Sequence, residues 1–367
     1  MANTLGIRGY DYVEFYVGSA KMVAYWYAKA MGFKIAGYLG PETGIRDRVS
    51  YYLIQNEIKI VVTSALKPST SEMSSFIKTH GDGVKRFSFA VENVEDTYSR
   101  AVKNGASSVH PPSRIKDKKG YVDEAFIRIY DDTELGFVNR DQYKGFFKPG
   151  YEKAILDYEI HCEDVGLQKI DHIVGNVRAH EMDKWADYFN KTLDFETFIE
   201  FGPGDISTKY SALLSKVVRS RDSVIKIPIN EPYKGLRKSQ IEEYIEEYQG
   251  SGVQHIAIAT NDILSAIPAM RKNGVEFLSV PNSYYENLRK KNLKIDENLD
   301  DLQKNGILCD FEGKGYLLQL FTKPIGDRPT FFFEIIQRRY DSQGFGQGNF
   351  QSLFEAIEVE QARRGNL

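Results

Sequence analysis

The chain has 367 residues, 48 Lys and Arg against 51 Asp and Glu, and 23 Tyr with 22 Phe. This near-neutral balance gives no basic field for nucleic acid or an anionic membrane, and no apolar run approaches the length of a membrane span. The first residues lack the apolar segment of a signal peptide, and the cysteines Cys162 and Cys309 form no C-x-x-C pattern. We therefore expect a cytoplasmic protein with reduced thiols and without nucleic-acid or membrane partners.

The first half predicts two units, each with one strand, one helix and about three further strands. The first unit opens with a strand over Gly9–Val17, and a helix that carries Trp26 follows it. The second unit opens with a strand over Gly83–Val91, and its helix over Val94–Lys103 ends at Gly105. The remaining strands are predicted near residues 34–39, 49–54, 57–63, 126–130 and 135–140.

The second half repeats this order. Lys169–Val177 takes the place of the first strand, and Gly252–Thr260 takes the place of the strand that opens the second unit. The helix after Gly83–Val91 ends at Lys103-Asn-Gly105, and the helix after Gly252–Thr260 ends in the same way at Lys272-Asn-Gly274. Order and stop signals together indicate an internal duplication. We expect a domain over residues 1–150 and a second over 160–367, with the crossing near residues 141–166.

The two copies differ in chemistry. His172 aligns with Tyr12, and His255 aligns with Arg86. A residue that the scaffold requires should recur in both copies. The histidines therefore indicate a chemical function that belongs to the second half alone.

A third candidate lies in the stretch Asp327–Arg339, which reads as a buried strand. Alternation places Phe332, Glu334 and Ile336 on one face. An isolated buried carboxylate is too costly, so Glu334 should be paired, protonated or bound to a metal. The alternative to a metal is an ion pair with an arginine at the end of the strand, Arg338 or Arg339.

Two imidazoles and one carboxylate can occupy one face of an octahedral iron(II) and leave positions for substrate and dioxygen. His172, His255 and Glu334 are the candidate ligands. Zinc fits less well because catalytic zinc usually keeps one open position. The competing interpretation is that both histidines are satisfied core residues. The other histidines are predicted to lie at the surface: His80, His110, His161 and His180.

Six motifs in order resemble the 4-hydroxyphenylpyruvate dioxygenase family of the vicinal oxygen chelate superfamily, over essentially the whole chain. They are Pro228-Ile-Asn-Glu-Pro232, Lys238-Ser-Gln-Ile241, Gln254-His-Ile-Ala257, Leu317-Leu-Gln-Leu-Phe-Thr-Lys-Pro324, Asp327-Arg-Pro-Thr-Phe-Phe-Phe-Glu-Ile-Ile-Gln-Arg338 and Gly344-Phe-Gly-Gln-Gly-Asn-Phe350. The resemblance implies an α+β fold of paired βαβββ modules in two tandem barrel-like domains. It also implies Fe(II) as the cofactor, held by the two histidines and Glu334, and a homo-oligomer, dimer or tetramer.

The resemblance further implies catalytic or supporting roles for three amides: Gln240, Gln254 and Gln319. It implies substrate-binding roles for a second set: Ser215, Asn230, Phe321, Phe332, Phe345, Asn349 and Phe350. Alternation places Gln254 on the opposite face from His255. Two roles for Gln254 stay open, direct contact with substrate and support of the metal ligand.

The glycine-rich segment Gly344–Phe350 lacks the Lys-Ser/Thr pair of a phosphate loop. It precedes an amphipathic helix over Phe350–Arg364, so we expect a hinged lid over the iron site. The charged run Lys234–Glu247 is predicted to be a solvated helix face, with Gln240 as the exception.

The resemblance implies that 4-hydroxyphenylpyruvate and dioxygen become homogentisate and carbon dioxide, a step of tyrosine and phenylalanine catabolism. One alternative is hydroxymandelate synthase, which oxidises the benzylic carbon of the same substrate. In that synthase family the position of Phe321 tends to be a smaller aliphatic residue, so the resemblance implies that an aromatic side chain here favours the homogentisate reaction. The other alternative is a non-catalytic protein that binds aromatic compounds on the same fold.

Overall fold

The computed structural model describes residues 4–67, 71–154, 156, 159–202, 212–291 and 294–366. The first half contains β1 (Ile7–Tyr16), α1 (Ala20–Met31), β2 (Lys34–Leu39), β3 (Arg48–Gln55), β4 (Ile58–Ala65), α2 (Ser71–His80), β5 (Gly83–Val91), α3 (Val94–Lys103), β6 (Ser107–Asp117), β7 (Gly120–Ile129), β8 (Thr133–Asn139) and β9 (Glu152–Lys153). The second half contains β10 (Leu167–Asn176), α4 (Met182–Leu193), β11 (Glu196–Phe201), β12 (Ala212–Arg219), β13 (Lys226–Tyr233), α5 (Gln240–Tyr248), β14 (Gly252–Thr260), α6 (Ile263–Lys272), α7 (Asn282–Lys290), α8 (Leu299–Asn305), β15 (Leu308–Glu312), β16 (Gly315–Phe321), β17 (Phe332–Arg339) and α9 (Phe350–Arg364).

Each half of the described chain forms one sheet, and the two sheets have the same connectivity apart from the additional strand β9 at the edge of the first. The first sheet has the order β6-β7-β8-β5-β1-β4-β3-β2-β9. The second, which matches it when read from the opposite edge, has the order β11-β12-β13-β10-β14-β17-β16-β15. In each sheet the opening strands of the two units pair antiparallel, β1 with β5 and β10 with β14. Each opening strand also pairs in parallel with the last strand of its own unit. The predicted α+β fold of paired βαβββ modules is confirmed.

Strand alternation gives each sheet two different faces. Val13 and Phe15 of β1 join a large apolar core that also contains α1 and residues of the second sheet. Aromatic pairs cross between the halves within this core, with ring centroids 5.0 Å apart for Phe15 and Phe331 and 5.9 Å for Tyr27 and Phe333. The opposite faces carry Tyr12 in the first sheet and His172 in the second. The candidate site therefore lies on the face turned away from the common core.

The crossing between the halves contains a short strand that the sequence does not predict. Here β9 pairs with β2 at the edge of the first sheet, with Lys153 opposite Gly37. Residues 155, 157 and 158 of this crossing lie outside the described part of the chain. No helix within the described residues is long and apolar enough to cross a membrane.

The prediction that His80 lies at the surface is wrong. His80 ends α2, and only 4% of its surface is exposed. Its ring stacks on Tyr248 with centroids 4.2 Å apart, and Nε2 lies 3.0 Å from Asp132 Oδ2. The polar residues around His80 in the sequence concealed this contact, which depends on α2 packing against α5 from the other half.

The prediction of a solvated helix over the charged run is also wrong for one face of α5. Glu243 and Tyr244 are buried, whereas the burial of Gln240 agrees with the predicted exception. The carboxylate of Glu243 can be buried because it accepts a hydrogen bond from Arg364 of α9 at 2.9 Å. A partner 121 residues further along the chain leaves no local signal in the sequence.

Candidate metal centre

Three adjacent strands bring His172, His255 and Glu334 together. His172 of β10 pairs with Ala257 of β14, which in turn pairs with Glu334 of β17. His172 Nε2 lies 3.3 Å from Glu334 Oε2, and His255 Nε2 lies 3.5 Å from the same oxygen. All three side chains are buried, and one donor atom of each lies within 4.8 Å of the others. The geometry matches a site in which three protein donors bind one face of a metal ion.

Both imidazoles present the same nitrogen to this centre. His172 Nδ1 lies 2.8 Å from Asp171 Oδ1, and His255 Nδ1 lies 2.9 Å from Gln254 Oε1. Because both partners are oxygen acceptors, each Nδ1 donates a proton, so in the neutral imidazole the lone pair that a metal needs is on Nε2.

The expectation that Gln254 faces away from His255 is wrong, and a β-bulge explains why. Val174 pairs with His255, but Gly175 pairs with Val253, so β14 carries an extra residue at this point. A bulge re-aims side chains and breaks strict alternation. Gln254 consequently turns to the same cavity as His255 and contacts its ring.

The charge state of Glu334 suits a metal ligand. Burial alone would raise its pKa, but His172 and His255 outweigh burial and lower the pKa to about 2. The carboxylate is therefore ionised across the physiological range. Its second oxygen, Oε1, is buried and has no hydrogen-bond partner among the described residues. An orphaned carboxylate oxygen beside two inward nitrogen lone pairs fits a metal cation.

The alternative pairing of Glu334 with an arginine does not occur. Arg338 donates instead to Asp171 at 2.7 and 2.8 Å, and Arg339 donates to Glu297 at 3.0 Å. Both arginines are thus satisfied by other carboxylates.

A cavity of about 60 Å³ adjoins the three donors. Eight of the residues that the resemblance implies line it together with the two histidines and Glu334: Ser215, Asn230, Gln240, Gln254, Phe321, Phe332, Phe345 and Phe350. Aromatic contacts extend from the donors into the wall, since the His255 ring stacks on Phe332 with centroids 4.8 Å apart. An apolar wall with a few neutral polar groups suits an aromatic ligand.

Two of the implied residues are buried beside this cavity and do not line it. Gln319 packs against the segment Gly344–Phe350, since a Cβ added to Gly346 would lie 2.2 Å from Gln319 Nε2. Both polar atoms of this amide lack a hydrogen-bond partner among the described residues. Asn349 accepts a hydrogen bond from the Tyr284 hydroxyl at 2.7 Å and so anchors the start of α9.

The sequence analysis missed several apolar wall residues: Val174, Phe201, Leu213, Val217 and Pro228. Period-two alternation was a usable signal for four of them. Val174 follows His172 by two positions, Leu213 and Val217 flank Ser215, and Pro228 precedes Asn230. Leu353 and Phe354, on the predicted amphipathic helix α9, also line the cavity.

Two family models match the chain. Residues 1–144 match the N-terminal model described as hydroxyphenylpyruvate dioxygenase. Residues 169–308 match the glyoxalase, bleomycin resistance protein and dioxygenase superfamily.

Curated relatives match over nearly the whole chain. 4-Hydroxyphenylpyruvate dioxygenase from Tetrahymena thermophila is 45% identical over 98% of this chain and 91% of its own. The enzyme of that name from Yarrowia lipolytica is 46% identical over 98% and 94%. Among solved structures, a triple mutant of 4-hydroxymandelate synthase from Streptomyces coelicolor has a TM-score of 0.85 at 26% identity, and the match covers 97% of this chain and all of that one.

Proposed function

The chain belongs to the 4-hydroxyphenylpyruvate dioxygenase family and is an enzyme of that class, and we propose that it holds a catalytic iron(II) through His172, His255 and Glu334. The observation that carries this proposal is the convergence of three buried donors, in which each histidine has its other ring nitrogen bonded and Glu334 Oε1 has no hydrogen-bond partner among the described residues. Each histidine has its Nδ1 bonded elsewhere, so only Nε2 faces the centre.

Iron(II) held by His172, His255 and Glu334 would supply the redox chemistry for a reaction between a 2-oxo acid and dioxygen. The protein contributes orientation and exclusion of water. Phe321 and Phe332 form an aromatic wall next to His255, with centroids 6.1 and 4.8 Å from its ring. This wall holds the substrate ring beside the metal centre.

Neutral polar side chains give the cavity its hydrogen-bonding capacity. Ser215 and Asn230 are opposite each other on β12 and β13, and Gln240 enters from the start of α5. Hydroxyl and amide groups can bind a phenol or a keto acid without adding net charge next to the metal. We assign these residues, with Gln254, to substrate binding.

We propose that the segment that begins α9 moves to admit substrate. A water molecule occupies about 10–15 Å³ of such a cavity, so about 60 Å³ holds only a few waters. An aromatic 2-oxo acid is larger than that. Phe345 and Phe350 belong to the cavity wall, and we propose that their segment opens as a lid and closes before reaction.

The decisive test is an assay of the purified protein reconstituted with iron(II). Dioxygen uptake with 4-hydroxyphenylpyruvate should be matched by homogentisate, identified by mass and chromatographic retention. Accumulation of 4-hydroxymandelate would identify the synthase reaction instead. Tight binding of the substrate without dioxygen uptake would identify a non-catalytic binding protein.

We further propose a cytoplasmic location and a homo-oligomeric state, dimer or tetramer. Both cysteines are free thiols, Cys162 exposed and Cys309 buried, which suits a reducing compartment. Light scattering of the purified chain would measure the oligomeric state directly.

A further inference from the structure

An aspartate and an arginine form a pair at the same place in both sheets. Arg338, on β17, donates through Nε and Nη2 to Asp171 at 2.8 and 2.7 Å. Arg140, directly after β8, donates through Nε to both oxygens of Asp11 at 3.0 and 3.2 Å. Each aspartate directly precedes one of the aligned residues His172 and Tyr12. The pairs therefore occupy equivalent positions in the duplicated fold.

Each arginine also holds the chain segment that follows its strand. Arg338 Nη1 donates to the Gly344 carbonyl at 2.6 Å, and Phe345 then packs edge-on against the His172 ring, with centroids 5.0 Å apart. Arg140 Nη1 donates to the Phe147 carbonyl, and the Phe147 ring packs edge-on against Tyr12 at 5.1 Å.

In both halves the arginine thus joins the opening strand to a phenylalanine that covers the sheet face. We call this arrangement of aspartate, arginine and returning segment the clamp. Because the first half has the clamp without metal donors, the clamp belongs to the scaffold.

Only in the second half does the clamp reach a candidate metal ligand. Asp171 Oδ1 accepts from His172 Nδ1 at 2.8 Å, whereas Asp11 has Lys59 as its additional partner at 3.3 Å. The register of β10 shifts between Ile170 and His172, which lets the Asp171 side chain reach its neighbour's ring. Asp171 and Arg338 are largely buried, with side-chain exposures of 10% and 16%. A buried, bidentate ion pair fixes the orientation of the aspartate, and the aspartate can then hold an imidazole in one orientation.

We propose that Asp171 and Arg338 are positioning residues that couple the lid to the metal centre. The chain of contacts runs from the Gly344 carbonyl through Arg338 and Asp171 to His172. A lid that lifts Gly344 releases one bond of Arg338 and loosens the orientation of His172; a lid that closes restores both. This inference rests on the proposed metal site, and the following experiment separates the two.

The experiment compares Arg338→Met with its matched control Arg140→Met, each made in the full-length chain. Cobalt(II) replaces iron as the probe, since its visible absorption reports ligand geometry without turnover. Removing a partner of this kind typically costs 10–100-fold in metal affinity. We expect Arg338→Met to weaken cobalt(II) binding by about tenfold or more and to change the cobalt spectrum. Arg140→Met should lower the unfolding midpoint and leave cobalt affinity and spectrum unchanged.

Two further variants keep the test decisive. If Arg338→Met does not fold, Arg338→Lys keeps the charge but loses the fork, and its cobalt affinity should lie below that of the wild type. Asp171→Asn should weaken cobalt binding even where the unfolding midpoint is unchanged, a result that a purely structural role does not give. Wild-type cobalt affinity and spectrum in the folded Arg338 and Asp171 variants would overturn the coupling.

The proposed metal site has its own separate readout. Glu334→Ala should abolish cobalt binding whatever the state of the clamp. If Glu334→Ala binds cobalt as the wild type does, the metal site itself is wrong. If Glu334→Ala abolishes binding and the clamp variants retain it, the site stands and only the coupling fails.

Discussion

The two sheets share one frame and differ in what lies on the equivalent face. In the second sheet that face carries His172, His255 and Glu334 around a cavity. In the first sheet Tyr12 and Arg86 take the histidine positions. Gly136 is the residue of the first sheet that is equivalent to Glu334. Ser88 and Ala257 each lie two residues after an aligned position, and Ser88 pairs with Gly136 as Ala257 pairs with Glu334.

On the equivalent face of the first sheet, side-chain packing and ion pairs take the place of a cavity with metal donors. Arg86 lies 3.0 Å from Glu134 and 3.5 Å from Glu14, and Glu134 is completely buried. Gly136 leaves no room for a ligand side chain, since an added Cβ would lie 2.3 Å from Ser88 Oγ and 2.7 Å from Phe126.

The fold provides the same row of positions in both sheets, and the residues at those positions decide whether the face holds a cavity with metal donors or a packed set of ion pairs. The clamp, the bulges and the strand order are common to both halves. The second sheet differs by three donor side chains and the cavity beside them.

The largest effect should come from removing a donor on the second face. Glu334→Ala should lose stoichiometric iron and all measurable turnover, because two imidazoles alone no longer hold the ion. The chain should stay folded, since an alanine in a buried strand removes a charge that otherwise needs a partner. Metal analysis and dioxygen uptake measure both effects. Metal analysis of the wild type should give one iron per chain, and two would contradict the contrast between the sheets.

Shortening the chain after Tyr340 tests the segment that follows β17. In the first half the equivalent segment packs Phe147 onto Tyr52, with stacked centroids 4.5 Å apart. In the second half it forms the proposed lid. The shortened chain should keep the three donors and some iron affinity, while homogentisate per dioxygen consumed falls steeply because water reaches the site.

The control for this truncation is a chain that ends at Arg364, which keeps the whole of α9 and the Arg364–Glu243 bond. This control should retain the wild-type ratio of homogentisate formed to dioxygen consumed. If the chain that ends at Tyr340 has wild-type turnover and the wild-type ratio of homogentisate to dioxygen consumed, the segment after β17 has no role in catalysis.

The sequence predicted the repeated order of elements because hydrophobic periodicity and Asn-Gly stops are local signals. It also predicted that the three donors meet, since the duplication placed two histidines on paired strands. It could not predict the side on which Gln254 lies, because a bulge depends on the pairing of two strands. Nor could it predict the burial of His80 and Glu243, whose partners are distant in the chain.

Breaking the ion pairs on the first face should affect stability and leave chemistry intact. Arg86→Met removes the guanidinium that lies between Glu14 and Glu134, while Lys85 still lies 3.3 Å from Glu134. Breaking a buried pair costs about 3–5 kcal/mol, and the remaining lysine should keep the loss at or below the lower end of this range. Denaturant unfolding should show this loss, with iron affinity unchanged in the folded fraction. Arg114→Met is the matched control, because Arg114 pairs with Asp123 at the surface with 55% of its side chain exposed. Such exposed pairs contribute about 0–1 kcal/mol.

The smallest effect should come from one ring of the lid. Phe350 lines the cavity and packs edge-on against Phe201, with centroids 5.3 Å apart. Burial of a Phe side chain is worth about 1.5–3 kcal/mol. Because Phe350 is only partly buried and packs against protein as well as substrate, Phe350→Ala should weaken the apparent affinity for 4-hydroxyphenylpyruvate by roughly tenfold, about 1.4 kcal/mol. Iron binding should be unchanged, since no donor touches this ring directly. Phe146→Ala in the first half is the control, because Phe146 is 45% exposed and its loss should leave substrate affinity as it was. Equal substrate affinity in the Phe350 variant and the control would place the ring outside the substrate site, and the proposed lid would then rest on Phe345 alone.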